Sequence, residues 1–123
     1  MVNLNLRSYA HLGDCVYELF IREKTIFMTT NVRELHKKTI YYVNAQYQAD
    51  LLNYLKDYLT DEEEDLIRRA RNTTISVGRR NNQTLHHQAT AFEALIGFLY
   101  LEKPTRLEEI FNLIDKYMQS EEK

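Results

Sequence analysis

The sequence predicts an all-α fold. Apolar residues recur at helical spacing along nearly the whole chain, and no stretch sustains the strict alternation of a β-strand. Three glycines and one proline in 123 residues favour long helices over a turn-rich sheet protein. This length supports one hydrophobic core and is short for two, so we expect a single domain over residues 1–123.

Two helical segments are predicted in the first half of the chain. The first covers residues 6–27, and a turn at residues 29–31 follows it. Asn31 would cap a second segment, VRELHKKTIYYVNAQYQADLLNYLKDYL. We expect this segment to bend or break near residues 39–43, where β-branched residues and tyrosines are concentrated.

A further helix is predicted to open at Thr60 and Glu63, which form a T-x-x-E capping box. It would run to about Asn72. Its first turn is acidic and its last turn is basic, so both ends suit the helix dipole. The polar stretch NTTISVGRRNNQT then predicts a loop.

Two more helices complete the predicted order. An apolar helix covers residues 85–101, and Pro104 ends it. Thr105 and Glu108 repeat the T-x-x-E pattern, which predicts the start of a last helix that ends near Gln119.

Composition excludes several classes of protein. The single cysteine, Cys15, rules out a disulfide framework and favours a reducing compartment. The N-terminal residues lack the pattern of a signal peptide. The most apolar run, AFEALIGFLYL, is about half the length that a membrane-spanning helix needs. We therefore expect a soluble, cytoplasmic protein with no membrane partner.

Charge is distributed unevenly along the chain. A net charge of −2 argues against nucleic-acid binding, but all 18 acidic residues lie outside residues 66–92. A local basic stripe can bind phosphate on an acidic protein, and it can equally be a solvated helix end. The stripe contains Arg68, Arg69, Arg71, Arg79 and Arg80.

Two acids occupy helices that are otherwise apolar. Glu93 is the only charged residue in TAFEALIGFLYL, and Asp14 lies within SYAHLGDCVYELFI. A buried carboxylate is costly unless it is protonated, paired with a cation or bound to a metal. Each of these acids therefore needs a compensating group.

Gly13 and Gly97 predict a close crossing of these two helices. Glycine costs a helix about 1 kcal/mol relative to alanine, and close approach of a second helix would account for it. Asp14 and Glu93 would then share a pocket, where two carboxylates repel unless a proton or cation separates them. Mg²⁺, or Mn²⁺ as a substitute, is the cation that such oxygen ligands favour. The alternative is that Glu93 pairs with a basic residue and Asp14 faces solvent.

Other candidate ligands have simpler explanations. Glu18 lies one turn after Asp14 and could support the metal from its outer shell, but it could equally pair with Arg22. The acidic residues 62–65 suit a helix N-terminus. His11 and His36 lack the partner spacing of a zinc site.

The segments around the two acids resemble the ribonuclease III family. HLGDCVYE is similar to its first signature, whose aspartate binds metal, and TAFEALIGFLYLEK is similar to its second, whose glutamate completes the metal site. VRELHKKT, VNAQYQA and RRARN look like the short Mini-ribonuclease III branch, which has no separate double-stranded-RNA-binding domain. The resemblance covers residues 6–103.

Two positions depart from full-length members of that family. Ala10 stands where those proteins have a glutamate, and Thr90 stands where they have an aspartate. Both replacements are similar to the Mini-ribonuclease III pattern. They imply a metal site with fewer carboxylates and more bound water.

The resemblance implies a helical bundle that forms a homodimer, with one active site per protomer along a groove for duplex RNA. Asp14 and Glu93 would be the catalytic, metal-binding residues of a Mg²⁺-dependent endoribonuclease. Its products would carry 5′-phosphate and 3′-hydroxyl ends. The implied substrate is double-stranded precursor large-subunit ribosomal RNA, and a ribosomal protein that presents this RNA is a candidate helper.

Contacts to the RNA backbone are expected from basic and polar residues. Such contacts read the shape of A-form RNA and weaken with salt. The candidates are Arg71, Asn72, Arg79, Arg80, Asn81, His87, Lys37 and Lys38. Two alternatives stay open: a catalytically inert RNA-binding module of the same fold, and an all-α metal hydrolase of nucleotides that uses the acidic residues 62–65.

Overall fold

The computed structural model describes residues 4–73 and 83–121, and this part of the chain is helical with no strand. The predicted all-α class is therefore confirmed. Residues 74–82, which make up most of the predicted loop, lie outside the described residues. The helices are α1 Leu6–Thr25, α2 Val32–Val43, α3 Ala45–Leu55, a 3-10 turn at Lys56–Tyr58, α4 Asp61–Thr73, α5 Gln83–Glu102 and α6 Pro104–Glu121.

Asparagine side chains divide the first half of the chain into helices. Asn31 starts α2 as predicted, because its side-chain oxygen accepts a hydrogen bond from the Glu34 N–H at 3.0 Å. The predicted break falls at Asn44, one residue beyond the expected segment. Asn44 has an extended backbone that ends α2, and its side chain accepts from the Tyr47 N–H at 2.8 Å to start α3.

The two predicted capping boxes have different outcomes. The Glu63 N–H donates to Thr60 Oγ1 at 3.1 Å, and the Thr60 N–H donates to Glu63 Oε1 at 3.0 Å, which confirms the first box. The second box is wrong, because α6 begins at Pro104 and Thr105 lies inside its first turn. Proline suits the first position of a helix, where its missing N–H would have no partner.

α5 is the central helix of the fold. It packs against α1, α3, α4 and α6, and Phe92, Leu95, Ile96 and Leu99 are completely buried. Neighbours on several sides explain why this helix is apolar around most of its circumference. No helix in the described residues combines the length and the apolar character needed to span a bilayer.

α1 and α5 cross at Gly13 and Gly97, as the sequence predicts. A Cβ atom built on Gly13 would lie 1.7 Å from the carbonyl oxygen of Glu93. One built on Gly97 would lie 1.9 Å from the carbonyl oxygen of Tyr9. No side chain fits at these distances, so the two backbones are in direct contact.

A buried ion pair joins α4 to α6. Glu63 is 2% exposed, and Arg106 Nε donates to its carboxylate at 2.8 Å. Burial raises the pKa of Glu63, but hydrogen bonds from Arg106 and from the Thr60 backbone outweigh this effect and hold the pKa below its usual value. Glu63 is therefore a structural residue that serves both the helix cap and the packing of α6.

Gly97→Ala tests the backbone contact. Alanine gains about 1 kcal/mol of helix propensity, but the new Cβ must displace the α1 backbone, so we expect the free energy of unfolding to fall by about 1–3 kcal/mol. Urea denaturation followed by circular dichroism measures this. Asn112→Ala on the exposed face of α6 is the control and should change the value by less than about 0.5 kcal/mol. A Gly97→Ala variant as stable as wild type would contradict the contact.

Candidate active site

The glycine crossing brings one stripe of α1 against one stripe of α5. On α1 the spacing i, i+4, i+7 relates Arg7, His11 and Asp14. On α5 the same spacing relates His86, Thr90 and Glu93. Together they border an open cavity of about 310 Å³. The lining residues are Arg7, Ala10, His11, Asp14, His86, Thr90 and Glu93.

The two acids differ in their exposure to solvent. Asp14 is exposed, whereas Glu93 is half-buried. The pKa of Glu93 is raised to about 7, chiefly by burial and then by the negative charge of Asp14, while a hydrogen bond from the Gln48 amide opposes the rise. The cavity therefore holds two interacting carboxyl groups, one of which resists ionisation.

Gln48 brings α3 into the site. This residue is 3% exposed, and its Nε2 donates to the Val43 carbonyl at 2.9 Å. The amide also hydrogen bonds to the Glu93 carboxyl. Its Oε1 is buried and has no hydrogen-bond partner among the described residues. An orphaned acceptor next to a carboxyl pair is costly, and a donor such as a metal-bound water would satisfy it.

The donor set fits Mg²⁺ better than zinc. Among residues 4–73 and 83–121, no group of three or more histidine, cysteine, aspartate and glutamate side chains is placed to hold a metal. A structural zinc site needs four such ligands, whereas Mg²⁺ is commonly held by one or two carboxylates and keeps several waters. Asp14, Glu93 and the orphaned oxygen of Gln48 suit the second case.

Glu18 lies away from this cavity. Its carboxylate accepts a hydrogen bond from Arg22 Nε at 2.8 Å, which is the alternative that the sequence left open. The Arg22 side chain is 58% exposed and the Glu18 side chain is 38% exposed. The structure therefore places Glu18 in a surface ion pair on α1.

The residues predicted to bind RNA are spread over several elements. Lys37 and Lys38 lie on α2, and Asn72 lies exposed at the end of α4. Arg71, also at the end of α4, borders a different cavity of about 230 Å³, which residues of α3, α4 and α5 line. His87 is half-buried on α5. Three further candidates, Arg79, Arg80 and Asn81, lie outside the described residues.

Part of the predicted basic stripe is neutralised within its own helix. Arg68 and Arg69 both pair with Asp65 on α4. Such exposed pairs contribute little to stability, but they reduce the positive charge that this helix presents. In the described part of the stripe, Arg71 has no such pair.

The sequence analysis missed four residues of the site. Arg7, His11 and His86 line the cavity, and Gln48 contacts Glu93 from α3. The signal for the first three was present, since each lies seven or three positions before an acid on the same helical face. Gln48 gave no signal, because only the packing of α3 shows which carboxyl group it reaches.

Comparison with known proteins identifies the family. A model of the ribonuclease III domain matches residues 7–104. A Mini-ribonuclease 3 from Thermosynechococcus vestitus is 38% identical over 114 residues, covering 93% of this chain and 76% of that protein. The chain belongs to the ribonuclease III family, in its Mini-ribonuclease 3 branch. As a member of this family it is an endoribonuclease.

Other members of the family agree with this assignment. The Mini-ribonuclease 3 from Clostridium tetani is 41% identical over 115 residues, covering 90% of this chain and 76% of that protein. A crystal structure of a protein from Fusobacterium nucleatum is 30% identical and superposes with a TM-score of 0.81. That match covers 94% of this chain and 95% of the other, so the likeness extends over the whole helical arrangement.

Both departures from full-length ribonuclease III lie in the cavity itself. Ala10 and Thr90 line it beside Asp14 and Glu93. Neither residue adds a carboxylate, so Asp14 and Glu93 are the two acids among the described lining residues.

Glu93→Gln should stabilise the metal-free protein at neutral pH. The folded state holds the Glu93 proton up to about pH 7, whereas the unfolded chain releases it near about 4.3. The folded state thus binds more protons in this interval, and its stability falls as the pH rises from about 4.3 to 7. Glutamine cannot ionise, so we expect the variant to be more stable by about 1–2 kcal/mol at pH 8, after allowance for partial solvation.

Urea denaturation in EDTA at pH 4.5 and pH 8 measures this difference. The gap between Glu93→Gln and wild type should close near pH 4.5. Glu108→Gln, an exposed position on α6, is the control and should show no pH-dependent gap. A wild-type protein that is the more stable of the two at pH 8 would show that Glu93 ionises freely.

Proposed function

We propose that this chain is a divalent-metal-dependent endoribonuclease that cleaves double-stranded RNA and leaves 5′-phosphate and 3′-hydroxyl ends. One observation carries the proposal: Asp14 and Glu93, from two different helices, share an open cavity. The proposed substrate is a duplex in precursor large-subunit ribosomal RNA, which would place the enzyme in the cytoplasm. Residues 1–123 would act as a single nuclease domain.

Asp14 and Glu93 would hold Mg²⁺, with Mn²⁺ as a substitute. When bound, the ion lowers the pKa of a coordinated water and offsets negative charge at the phosphate. The protein supplies the carboxylates and their orientation. Asp14 faces solvent, so RNA can approach it, while Glu93 is fixed by burial and by the amide of Gln48. A cation would also remove the repulsion that raises the pKa of Glu93.

RNA binding would rest on phosphate and sugar contacts. Lys37, Lys38, Arg71 and Asn72 are the described candidates, with His87 near the start of α5. The remaining candidates are Arg79, Arg80 and Asn81. Recognition would follow duplex shape, since A-form RNA conceals its base edges in a deep major groove. Affinity should fall steeply with salt because phosphate contacts dominate it.

A nucleotide hydrolase centred on residues 62–65 is disfavoured by ion pairing. Glu62 pairs with Lys103 at 2.7 Å, and Glu63 is buried against Arg106. Asp65 is bound by two arginines of its own helix. Three of these four acids therefore have ion-pair partners within the protein, and Glu63 is buried as well. A catalytically inert RNA-binding module would bind duplex RNA without cleaving it, so a cleavage assay distinguishes this alternative.

Asp14→Asn and Glu93→Gln should each abolish cleavage while leaving RNA binding intact. Each removes one of two charged ligands, so we expect the rate to fall by at least about 10²-fold. Long duplex RNA in Mg²⁺ is the substrate for cleavage, and filter binding in Ca²⁺ measures affinity. Asp57→Asn, at an exposed acid of the 3-10 turn, is the matched control and should cleave as wild type does. Wild-type protein that binds duplex RNA without cutting it would support the inert module instead.

A homodimer is part of the proposal. α1 also carries an apolar face that continues over the junction of α5 and α6 and borders a second cavity of about 360 Å³. Leu19 is 59% exposed and Tyr100 is 50% exposed on this face. Such a patch suits a two-fold interface, and pairing there would hold two metal cavities in a fixed relation. We define the apolar face as Val16, Leu19, Phe20, Tyr100, Leu107 and Phe111.

Leu19→Lys should convert the dimer into a monomer. A lysine at the centre of the apolar face leaves a charge without a partner in the interface, which disfavours association. Multi-angle light scattering at micromolar concentration should give about twice the chain mass of 14.7 kDa for wild type and the chain mass for the variant. Ile40→Lys, at a 48% exposed position on α2, should stay dimeric. A wild-type monomer that cuts both strands would contradict the shared groove.

A further inference from the structure

Two histidines line the active-site cavity without being part of the carboxylate pair. His11 comes from α1, one turn before Asp14, and His86 comes from α5, two turns before Glu93. Both side chains are exposed, so a ligand in the cavity can reach them. Their positions on two different helices place an imidazole on each wall of the site.

The imidazoles are not bound to other parts of the described protein. Neither ring hydrogen bonds or forms an ion pair with another residue in 4–73 or 83–121. The His86 ring lies beside that of His87, with ring centroids 6.2 Å apart. Among the residues that the structure describes, none occupies the N–H group of either imidazole, so each can donate to a substrate.

These histidines also do not join the two acids in a group of three or more metal ligands. They border the same cavity as Asp14 and Glu93, yet no three of these four side chains lie close enough to hold one ion in the described structure. A side chain that faces the cavity without joining such a group can contact the molecule that the metal binds. In a nuclease, that molecule is the RNA, and the metal binds a phosphate of its backbone.

The chemistry of this cavity explains why donors are needed there. A phosphodiester brings negative charge to two carboxylates, and a single divalent ion offsets only the carboxylates. Ala10 and Thr90 contribute no further acid, so the site has little capacity for additional cations. Hydrogen-bond donors fixed around the phosphate supply the missing stabilisation, most strongly as charge develops in the transition state.

We infer that His11 and His86 are substrate-contacting residues, whose imidazole N–H groups donate to non-bridging oxygens of the scissile phosphate. This inference rests on the proposed function and deepens it. It assigns the phosphate subsite to the first two turns of α1 and the first turn of α5. The two contacts come from the helices that supply the two acids, so the glycine crossing fixes the distance between metal and phosphate subsites.

The test uses the full-length protein and a short RNA duplex with one cleavage position. His11→Ala and His86→Ala should each lower kcat/KM by about 10- to 100-fold at saturating Mg²⁺, because each removes a hydrogen bond to a charged group. The Mg²⁺ concentration for half-maximal rate and the thermal midpoint should not change. His36→Ala, an exposed histidine on α2, is the control and should match wild type. His86→Gln keeps an N–H donor and should recover part of the rate.

A phosphorothioate at the scissile position separates a direct contact from an indirect one. Sulfur accepts hydrogen bonds poorly, so the substitution and His86→Ala remove the same contact. Their combined effect should be smaller than the product of the separate effects. Full multiplicativity would overturn the inference, as would unchanged kcat/KM in both alanine variants, or a loss that additional Mg²⁺ restores. A wild-type protein that leaves the duplex intact would remove the proposed function itself.

Discussion

The contact between the backbones of α1 and α5 is the constraint on which the rest of the structure depends. At Gly13 and Gly97 there is no room for even one side-chain carbon on either helix. Because the helices touch there, nearby residues of the two helices face each other across the open cavity. That single contact sets which residues of the two helices line the cavity. They are Arg7, His11 and Asp14 on α1 and His86, Thr90 and Glu93 on α5. A wider crossing would separate the two acids.

The carboxyl pair is unfavourable in the isolated protein, and this is what marks it as functional. Glu93 is half-buried, faces the charge of Asp14, and has a pKa raised to about 7. Glu63, an acid with a structural role, differs from Glu93. It is buried against Arg106, and its pKa is lowered instead of raised. Sites that bind ligands often retain such strain at a cost in stability. Gln48 limits the cost with a hydrogen bond to Glu93 while leaving its own Oε1 unsatisfied.

Much of this was predictable from the sequence, because the strongest signals were residues in costly places. Glycine within a helix and an acid within an apolar run each need a structural reason, and together they predicted the crossing of α1 and α5. Local patterns were less decisive. The capping box at Thr60 formed, whereas the same T-x-x-E pattern at Thr105 did not cap α6, because Pro104 already occupies the first position of that helix. The histidines share a helical face with the acids, so periodicity already contained their signal, whereas the role of Gln48 depends on the packing of α3 against α5. Periodicity within one segment cannot show which carboxyl group Gln48 reaches.

The central claim is that Asp14 and Glu93 share one cation, and a crystal structure with Mn²⁺ tests it most directly. The anomalous signal of manganese should give one peak in the cavity, with an oxygen of each carboxylate either bound to the ion or joined to it through one water. The Gln48 Oε1 should then accept a hydrogen bond from a water in that cluster. A peak bound to one acid alone, a peak elsewhere on the protein, or the two carboxylates turned away from each other would contradict the shared site.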